Sequence, residues 1–404
     1  MTSSTTPTPA PVAHATLSQS NCATLSQRGV DRYKTGHPWI YRSDVISTPD
    51  EPGLYQVKDA RGKILGWAAV NAKSEITVRF LTRFDEPANT ALLVRRLEQA
   101  IAYRETLNIQ ADSYRLVHGD ADGLPSLVID KYNDVLVVQN ASAALEPHLD
   151  ALLEVLIDRL QPKGVLARFD HRNRAFEGLE QEVFVAHGKV NKRITATEGE
   201  IKFFVDPYEG QKTGAFLDQR ENRLALAKHA RGHGLDVFSY HGSFALHLAQ
   251  KCATVDCIDS SAPALERAAE NATLNGLSNL EFTVGNAFEI MRERERANQK
   301  YSVIAIDPPA LAKARRDLER AYAAYKEVNL RALRLLEPGG ILGTASCSYH
   351  LLEPDFYAML RDAAADAGVK VRVLERRGAS ADHPDVLHVP ESRYLKYAIL
   401  EVLE

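Results

Sequence analysis

The stretch Asp236-Val237-Phe238-Ser239-Tyr240-His241-Gly242-Ser243-Phe244 reads as the end of a buried strand, a tight turn and the start of a helix. Gly242 lets the backbone turn sharply and approach a ligand. The free N–H groups of the helix that begins near Ala245 can receive a carboxylate or a phosphate. Outward from this turn, apolar strand segments at 234–238, 254–258, 280–284, 303–306 and 340–345 alternate with gaps long enough for crossover helices. That alternation predicts an α/β fold, a doubly wound and mostly parallel sheet, with its ligand beyond the carboxyl ends of the strands.

The strand ends carry the candidate cofactor residues. The second strand closes on Asp256-Cys257-Ile258-Asp259-Ser260, and an acidic side chain there suits the hydroxyls of a ribose. The third closes on Gly285-Asn286-Ala287-Phe288, where a polar side chain can meet an adenine edge. The loop lacks both G-x-G-x-x-G and G-x-x-x-x-G-K-[ST], which disfavours NAD and a nucleotide triphosphatase. These features place a nucleoside cofactor without identifying it. Asp236 and Asp259 acting only as helix caps is the plainer alternative.

The fourth and fifth strands supply the reaction chemistry. Asp307-Pro308-Pro309-Ala310 ends the fourth, and the two prolines fix the backbone so that Asp307 is held at the sheet edge. Thr344-Ala345-Ser346-Cys347-Ser348 ends the fifth, on the same side as the cofactor. Carbon 5 of cytosine is a poor nucleophile. A thiolate added to carbon 6 makes carbon 5 enamine-like and able to take a methyl group. Cys347 suits the attack, and Asp307, if it holds a proton, can hydrogen-bond cytosine N3. Methylation of an exocyclic amine commonly uses an aromatic residue after the prolines, where this chain has Ala310. Two alternatives remain: a methyltransferase acting on a guanine or an exocyclic amine, and a non-catalytic RNA-binding protein. Taken alone, Cys347 reads as a small buried hydrophobe; Asp307 beside it reverses that reading.

The rest of the chain is organised around this body. Of its 404 residues 45% are hydrophobic and 25% charged, an ordinary globular balance spanning roughly two to three domains. No apolar run of about 18 residues suggests a membrane span, and no secretory leader is evident. The four cysteines, Cys22, Cys252, Cys257 and Cys347, match no zinc spacing and no disulfide scaffold, so no metal is expected and the cytoplasm is the natural compartment. Net charge is −4, yet residues 24–104 hold 13 Lys/Arg against 9 Asp/Glu, a basic module on an acidic body. The expected organisation is a disordered tail at 1–25, a β-rich RNA-binding module at 26–84, a linker helix at 85–110, an α+β middle section at 111–195 and the catalytic α/β domain at 196–404. Within the module, Lys34, Arg42, Arg79 and Arg83 are candidates for phosphates; Trp39 and Tyr41 read as core first and stacking platforms second. Lys313, Arg315, Arg316 and Arg320 follow the fourth strand and can steer RNA.

These motifs, in this order, resemble the PUA-domain class I methyltransferases of 23S ribosomal RNA, the RlmI-type 5-methylcytosine enzymes. Gly36-His37-Pro38-Trp39-Ile40-Tyr41, His118-Gly119-Asp120-Ala121-Asp122-Gly123-Leu124-Pro125 and Gln211-Lys212-Thr213-Gly214-Ala215-Phe216-Leu217-Asp218-Gln219-Arg220 carry the likeness. Asp236–Phe244, Asp307-Pro308-Pro309, Ser346-Cys347-Ser348 and Asp382-His383-Pro384 complete it over about residues 26–404. The resemblance implies a PUA domain, a middle α+β domain and a Rossmann-like domain. It implies S-adenosyl-L-methionine as methyl donor, 23S rRNA as partner, Cys347 as nucleophile and a homodimer. It also lays Asp218, Gln219 and Arg220 against the cofactor, with Asp236, Phe238, Ser239, Tyr240, Gly242, Asp259, Ser260, Asn286, Ala287 and Asp307. Asn286 departs from the Asp usual in the third-strand motif, and its carbonyl is expected to serve the adenine amine instead.

Overall fold

A computed structural model describes residues 21–83, 86–312 and 314–403. The N-terminal module is a six-stranded sheet. Its strands are β1 (Cys22–Leu25), β2 (Trp39–Ile40), β3 (Val45–Ser47), β4 (Gly53–Asp59), β5 (Ile64–Val70) and β6 (Val78–Thr82), in the order β2-β6-β5-β4-β1-β3. Helix α1 (Gln27–Lys34) is capped by Ser26, whose side chain accepts from Gly29 N. Residues 22–25, expected to belong to the tail, are instead the strand that joins β4 to β3, and Ala23 and Leu25 are fully buried in the module's core. The period-two burial of four residues was too short a signal beside the Ser/Thr/Pro-rich run before it.

The middle section is a five-stranded sheet of β7 (Ser113–His118), β8 (Leu127–Tyr132), β9 (Val135–Asn140), β10 (Gly164–Phe169) and β11 (Glu182–Gly188), with β11 and β7 at the edges. Helices α2 (Thr90–Thr106) and α3 (Leu149–Leu160) cover one face. Leu92, Leu93, Leu97, Ala100 and Ile101 put α2 inside this core, so the expected linker helix is an integral layer of the middle domain. A hairpin, β12 (Ile194–Glu198) and β13 (Ile201–Val205), closes the opposite face through Ile194, Ala196 and Val205. The expected boundary between residues 195 and 196 therefore cuts through a strand.

The C-terminal sheet runs β16-β15-β14-β17-β18-β20-β19. Its strands are β14 (His233–Val237), β15 (Thr254–Asp259), β16 (Leu280–Val284), β17 (Tyr301–Ile306), β18 (Leu336–Ser346), β19 (Val371–Arg377) and β20 (Lys396–Val402). The pairs from β16 to β18 are parallel, while β20 runs antiparallel to both its neighbours. Beyond the short helix α4 (Asn173–Glu177), helices α5 (Arg220–Ala227), α6 (Ser243–Ala249) and α7 (Ala262–Leu274) pack on one face. Helices α8 (Ala287–Arg296), α9 (Leu318–Leu335) and α10 (Glu353–Ala367) pack on the other. Covered on both sides, β17 is buried at every residue, which is why it reads as an unbroken apolar run rather than an alternating one. The strand order reverses between β14 and β17, and the crevice beyond their carboxyl ends is the ligand position of such sheets. No helix among the described residues is long and apolar enough to cross a membrane.

Buried polar groups join these bodies. Arg79 of β6, a candidate phosphate contact by sequence, instead pairs with Glu177 of α4 at 3.0 Å, and Asn71 donates to the same carboxylate at 2.8 Å. Trp39 Nε1 donates to Asp120 at 3.0 Å. Between hairpin and catalytic body, Glu198 accepts from Arg223 Nε at 2.7 Å and faces His247 Nε2 at 2.9 Å, with all three residues buried. Removing one member of such a cluster leaves uncompensated charge out of water. Glu198→Ala is therefore expected to lower unfolding free energy by about 3–5 kcal/mol, read from urea denaturation; a loss near zero would mean that water reaches Arg223.

Candidate active site

The turn after β14 holds an unusual backbone. Phe238 and Tyr240 have φ of +65° and +48°, and Gly242 has +77°. Only the glycine adopts that region freely, so two aromatic residues sit there at a cost of about 1–2 kcal/mol each. Local bonds hold them. Phe238 N and Ser239 N both donate to Ile258 O, at 2.9 and 3.0 Å, and Ser239 Oγ donates to Asp236 O at 2.7 Å. Tyr240 N donates to Asp259 Oδ2 at 2.9 Å, and Ala245 N, at the start of α6, to Asp236 Oδ2 at 2.9 Å. A β-carbon at Gly242 would lie 3.0 Å from that of Ala268 on α7, so loop and helix meet closely there.

These bonds define what the expected cofactor residues are doing. Asp236 is buried beneath the loop and caps α6; burial pushes its pKa up to about 7, with the carboxylates of Asp307 and Asp259 adding to the rise. Asp259 spends one oxygen on Tyr240 N and the other on Ser261 N, while its edge stays part-exposed at the cleft. Asn286 is exposed and caps α8, its oxygen accepting from Phe288 N at 2.9 Å. The carbonyl expected to serve an adenine amine is thus already engaged. Ser260 is exposed beside it and Ala287 is buried; the Phe238 and Phe288 rings meet at 6.2 Å.

Residues 211–220 cross the cleft mouth, and Asp218, Gln219 and Arg220 prove unequal. Gln219 Nε2 donates to Asp307 Oδ1 at 2.9 Å, and its oxygen is fixed by Asn222 Nδ2 at 2.7 Å. Asp218 Oδ2 accepts from Lys212 Nζ and from Tyr394 OH, both at 2.7 Å. Burial opposes ionisation of Asp218, but the Lys212 ammonium and its hydrogen bonds hold the carboxyl well below the usual range. Its other oxygen, Oδ1, is buried with no partner among the described residues. Arg220 departs from its expected place beside the cofactor. Its guanidinium is buried and grips both oxygens of Asp382, each at 2.9 Å.

Asp307 and Cys347 come together as the strand ends predict. Strands β17 and β18 pair in register, Ile306 opposite Thr344, and Cys347 Sγ lies 3.9 Å from Pro308 O. Ser346 and Ser348 turn inward and are fully buried, which leaves the cysteine facing the cleft. Ser348 Oγ accepts from Ala312 N at 3.0 Å and meets Tyr325 OH at 2.9 Å. Burial, then the Asp218 carboxylate, pushes Asp307 up to about 6. Burial, then Asp307, pushes the Cys347 thiol up to about 11, with Lys212 opposing. At neutral pH the resting thiol therefore holds its proton.

Three residues outside the sequence-based set complete the site. Lys212 and Tyr394 fix Asp218. Lys396, buried on β20 opposite Ser346, donates to Ser348 O at 2.7 Å and Tyr394 O at 2.8 Å and so braces the cysteine turn. The available signal was a single charge inside the apolar run Tyr397–Leu400 and its neighbour Leu395. Of the expected RNA contacts, Lys34, Arg42, Arg315 and Arg316 are exposed, and Lys313 lies outside the described residues. Arg83 is turned inward, donating to Tyr33 O at 2.7 Å.

Comparison with known proteins agrees with this architecture. Residues 23–83 match the PUA-like domain family and residues 228–376 a methyltransferase domain family. The Ribosomal RNA large subunit methyltransferase I of Tolumonas auensis is 37% identical over 379 residues, 91% of this chain and 96% of that protein. Its namesake from Vibrio cholerae is 36% identical over 380 residues, with the same shares covered. The crystal structure of SMU.776 complexed with SAH superposes with a TM-score of 0.81 over 94% of this chain and all of that one, at 17% identity, a likeness of fold.

Asp307 binds its proton more tightly folded than unfolded, so stability falls as pH rises from about 4 to about 6, and the cost is full above that and absent below about 4. Asp307→Asn is expected to raise the thermal midpoint at pH 7.5 and leave it unchanged at pH 4. Equal shifts at both values would show that ionisation is not the cause. In the free protein, alkylation of Cys347 by iodoacetamide is expected to climb with pH toward about 11; a rate already level at pH 7 would contradict the thiol's environment.

Proposed function

The chain belongs to the ribosomal RNA large subunit methyltransferase I family, and from that premise we propose that it transfers a methyl group from S-adenosyl-L-methionine to carbon 5 of a cytosine in 23S rRNA. The observation that carries the reading is one cleft holding Cys347 and Asp307 at the ends of adjacent strands, beside a strained turn of cofactor-binding type.

The residues present fit the donor. Asp259, at the carboxyl end of β15, suits the hydroxyls of a ribose, the Phe238 and Phe288 rings suit an adenine, and the orphaned Asp218 oxygen suits an ammonium group. Gln219 and the N–H groups after Gly242 complete the set. When bound, the donor supplies an electrophilic methyl group and a positive charge.

This chain's own residues then do the following. The thiol of Cys347 gives its proton to water, a loss that a positive charge in the cleft favours, and the resulting thiolate bonds to carbon 6. Asp307, with its pKa near 6, is part-protonated close to neutrality and donates to cytosine N3, which gains electron density as sulfur attacks. The carbon 5–carbon 6 pair moves onto carbon 5 and takes the methyl group. Water takes the carbon 5 proton, the carbon 5–carbon 6 double bond re-forms, and the carbon 6–sulfur bond breaks to release Cys347 as thiolate. Lys396 and Ser348 keep the thiol aimed throughout. Lys34, Arg42, Arg315 and Arg316 offer exposed cations to the phosphates of the RNA.

Bisulfite sequencing of rRNA from a deletion strain is expected to show one cytosine that loses its mark, restored by the wild-type gene and not by Cys347→Ala. Restoration by Cys347→Ala would remove the covalent route. Asp307→Asn is expected to slow turnover about a hundred- to ten-thousandfold. With RNA carrying 5-fluorocytosine, carbon 5 has no proton to lose, so wild type should stay attached to RNA on a denaturing gel. Release as complete as that of Cys347→Ala would count against the adduct.

A further inference from the structure

The segment that leaves Asp382 and returns at Tyr394 passes between the N-terminal module and the cysteine turn. Its anchors lie at both ends in the cleft: Asp382 under Arg220, and Tyr394 on Asp218. Between them it is hydrogen-bonded to itself. Val389 N donates to Val386 O at 2.8 Å, and Ser392 Oγ meets Val386 N at 2.8 Å and Val389 O at 2.6 Å. Leu387 stands at the tip of this turn, 91% exposed.

Two further apolar side chains are exposed on the segment after the cysteine turn. Tyr349 and Leu352, two and five residues after the nucleophile, are 48% and 62% exposed. Arg393 ties the two segments together, reaching Glu353 at 2.9 Å and Asp385 at 3.9 Å. The rim continues into the N-terminal module, where His37 meets Glu391 at 3.1 Å and Gly36 abuts His388. Tyr349 lies beside Glu391 and Tyr41, which, after burial, raise its pKa.

Resting on the RNA-methylating reading, we propose that Leu387, Leu352 and Tyr349 are the surface on which the bases flanking the target stack while the cytosine is turned out toward Cys347. A base inside a helix cannot reach a sulfur set in a cleft, and the gap it leaves is costly unless an apolar side chain fills it. Arg393, 60% exposed between Glu353 and Asp385, offers a cation to a flanking phosphate, while neutral base faces stack on leucine and tyrosine regardless of sequence. The hydrogen bonds within the turn hold Leu387 at its tip.

The test compares wild type and Leu387→Ala, as full chains, on two RNAs with the mapped cytosine in one local sequence. One is a short single strand; the other is a hairpin that pairs the cytosine in its stem. Removing so exposed a side chain leaves the fold intact. Leu387→Ala is expected to lose about tenfold or more in kcat/KM on the hairpin and less than about twofold on the single strand, with Leu387→Met restoring the hairpin rate. A 2-aminopurine next to the cytosine should brighten when wild type binds the hairpin and stay dim with Leu387→Ala. Equal loss on both RNAs, or no loss on either, overturns the proposal, the latter pointing to a protein partner for this rim. Wild type that marks cytosine but ignores the substitution defeats this inference alone. Wild type that marks no cytosine in either RNA defeats the preceding reading and this one with it.

Discussion

Asp382 is buried and takes bonds from three separate parts of the chain. Both guanidinium arms of Arg220 reach its oxygens at 2.9 Å, Arg115 N of β7 donates at 2.8 Å, and the His383 ring lies at 3.3 Å. From α2, Arg104 adds a bond to its backbone carbonyl. A carboxylate out of water is costly, and here charge-assisted bonds with good geometry offset that cost. The consequence is positional. With Asp382 fixed, residues 378–381 lie along residues 218–222: Ser380 donates to Asp218 O, Asn222 to Gly378 O, and Ala381 N to Glu221. Gln219 and Asp218 can then face Asp307, and Tyr394 can close on Asp218.

The cleft so assembled is built against its own comfort. Asp236, Asp259 and Asp307 crowd the ends of three strands with Asp218 beside them, and their charges help raise the pKa of Asp236, of Asp307 and of the thiol. Phe238 and Tyr240 stand in backbone conformations suited to glycine. Cys347 rests in its unreactive protonated form. The crowded carboxylates and the strained turn cost stability in the free protein, and a cation entering the cleft eases the first of these. That pattern belongs to sites that hold strain in reserve for a ligand, with the surrounding layers supplying the stability.

Much of this was legible beforehand. The alternating segments gave the catalytic sheet, its parallel pairing and the juxtaposition of Asp307 with Cys347, because strand adjacency follows from a few topological rules. Arg220 and Arg79 were misplaced for a shared reason. A positive side chain reads as a ligand contact until its buried carboxylate partner, 162 or 98 residues away, is seen. Asn286 and Asp236 show a milder form: the residue type was informative, but helix N-termini compete for the same oxygens. Lys396 went unread because a lone lysine in an apolar strand more often marks an exposed strand end.

Local pattern and motif spacing were enough for the element types, the order of the modules, the cleft's location and its thiol–carboxyl pair, since each depends on neighbours within one turn or one strand. Tertiary structure alone decided which charges serve the scaffold and which the cleft, how far the thiol and Asp307 are shifted, and that the 384–393 turn sets Leu387 on the rim. Those properties depend on burial and on partners brought from distant segments, and a carboxylate's meaning changes with the charge that the fold places beside it.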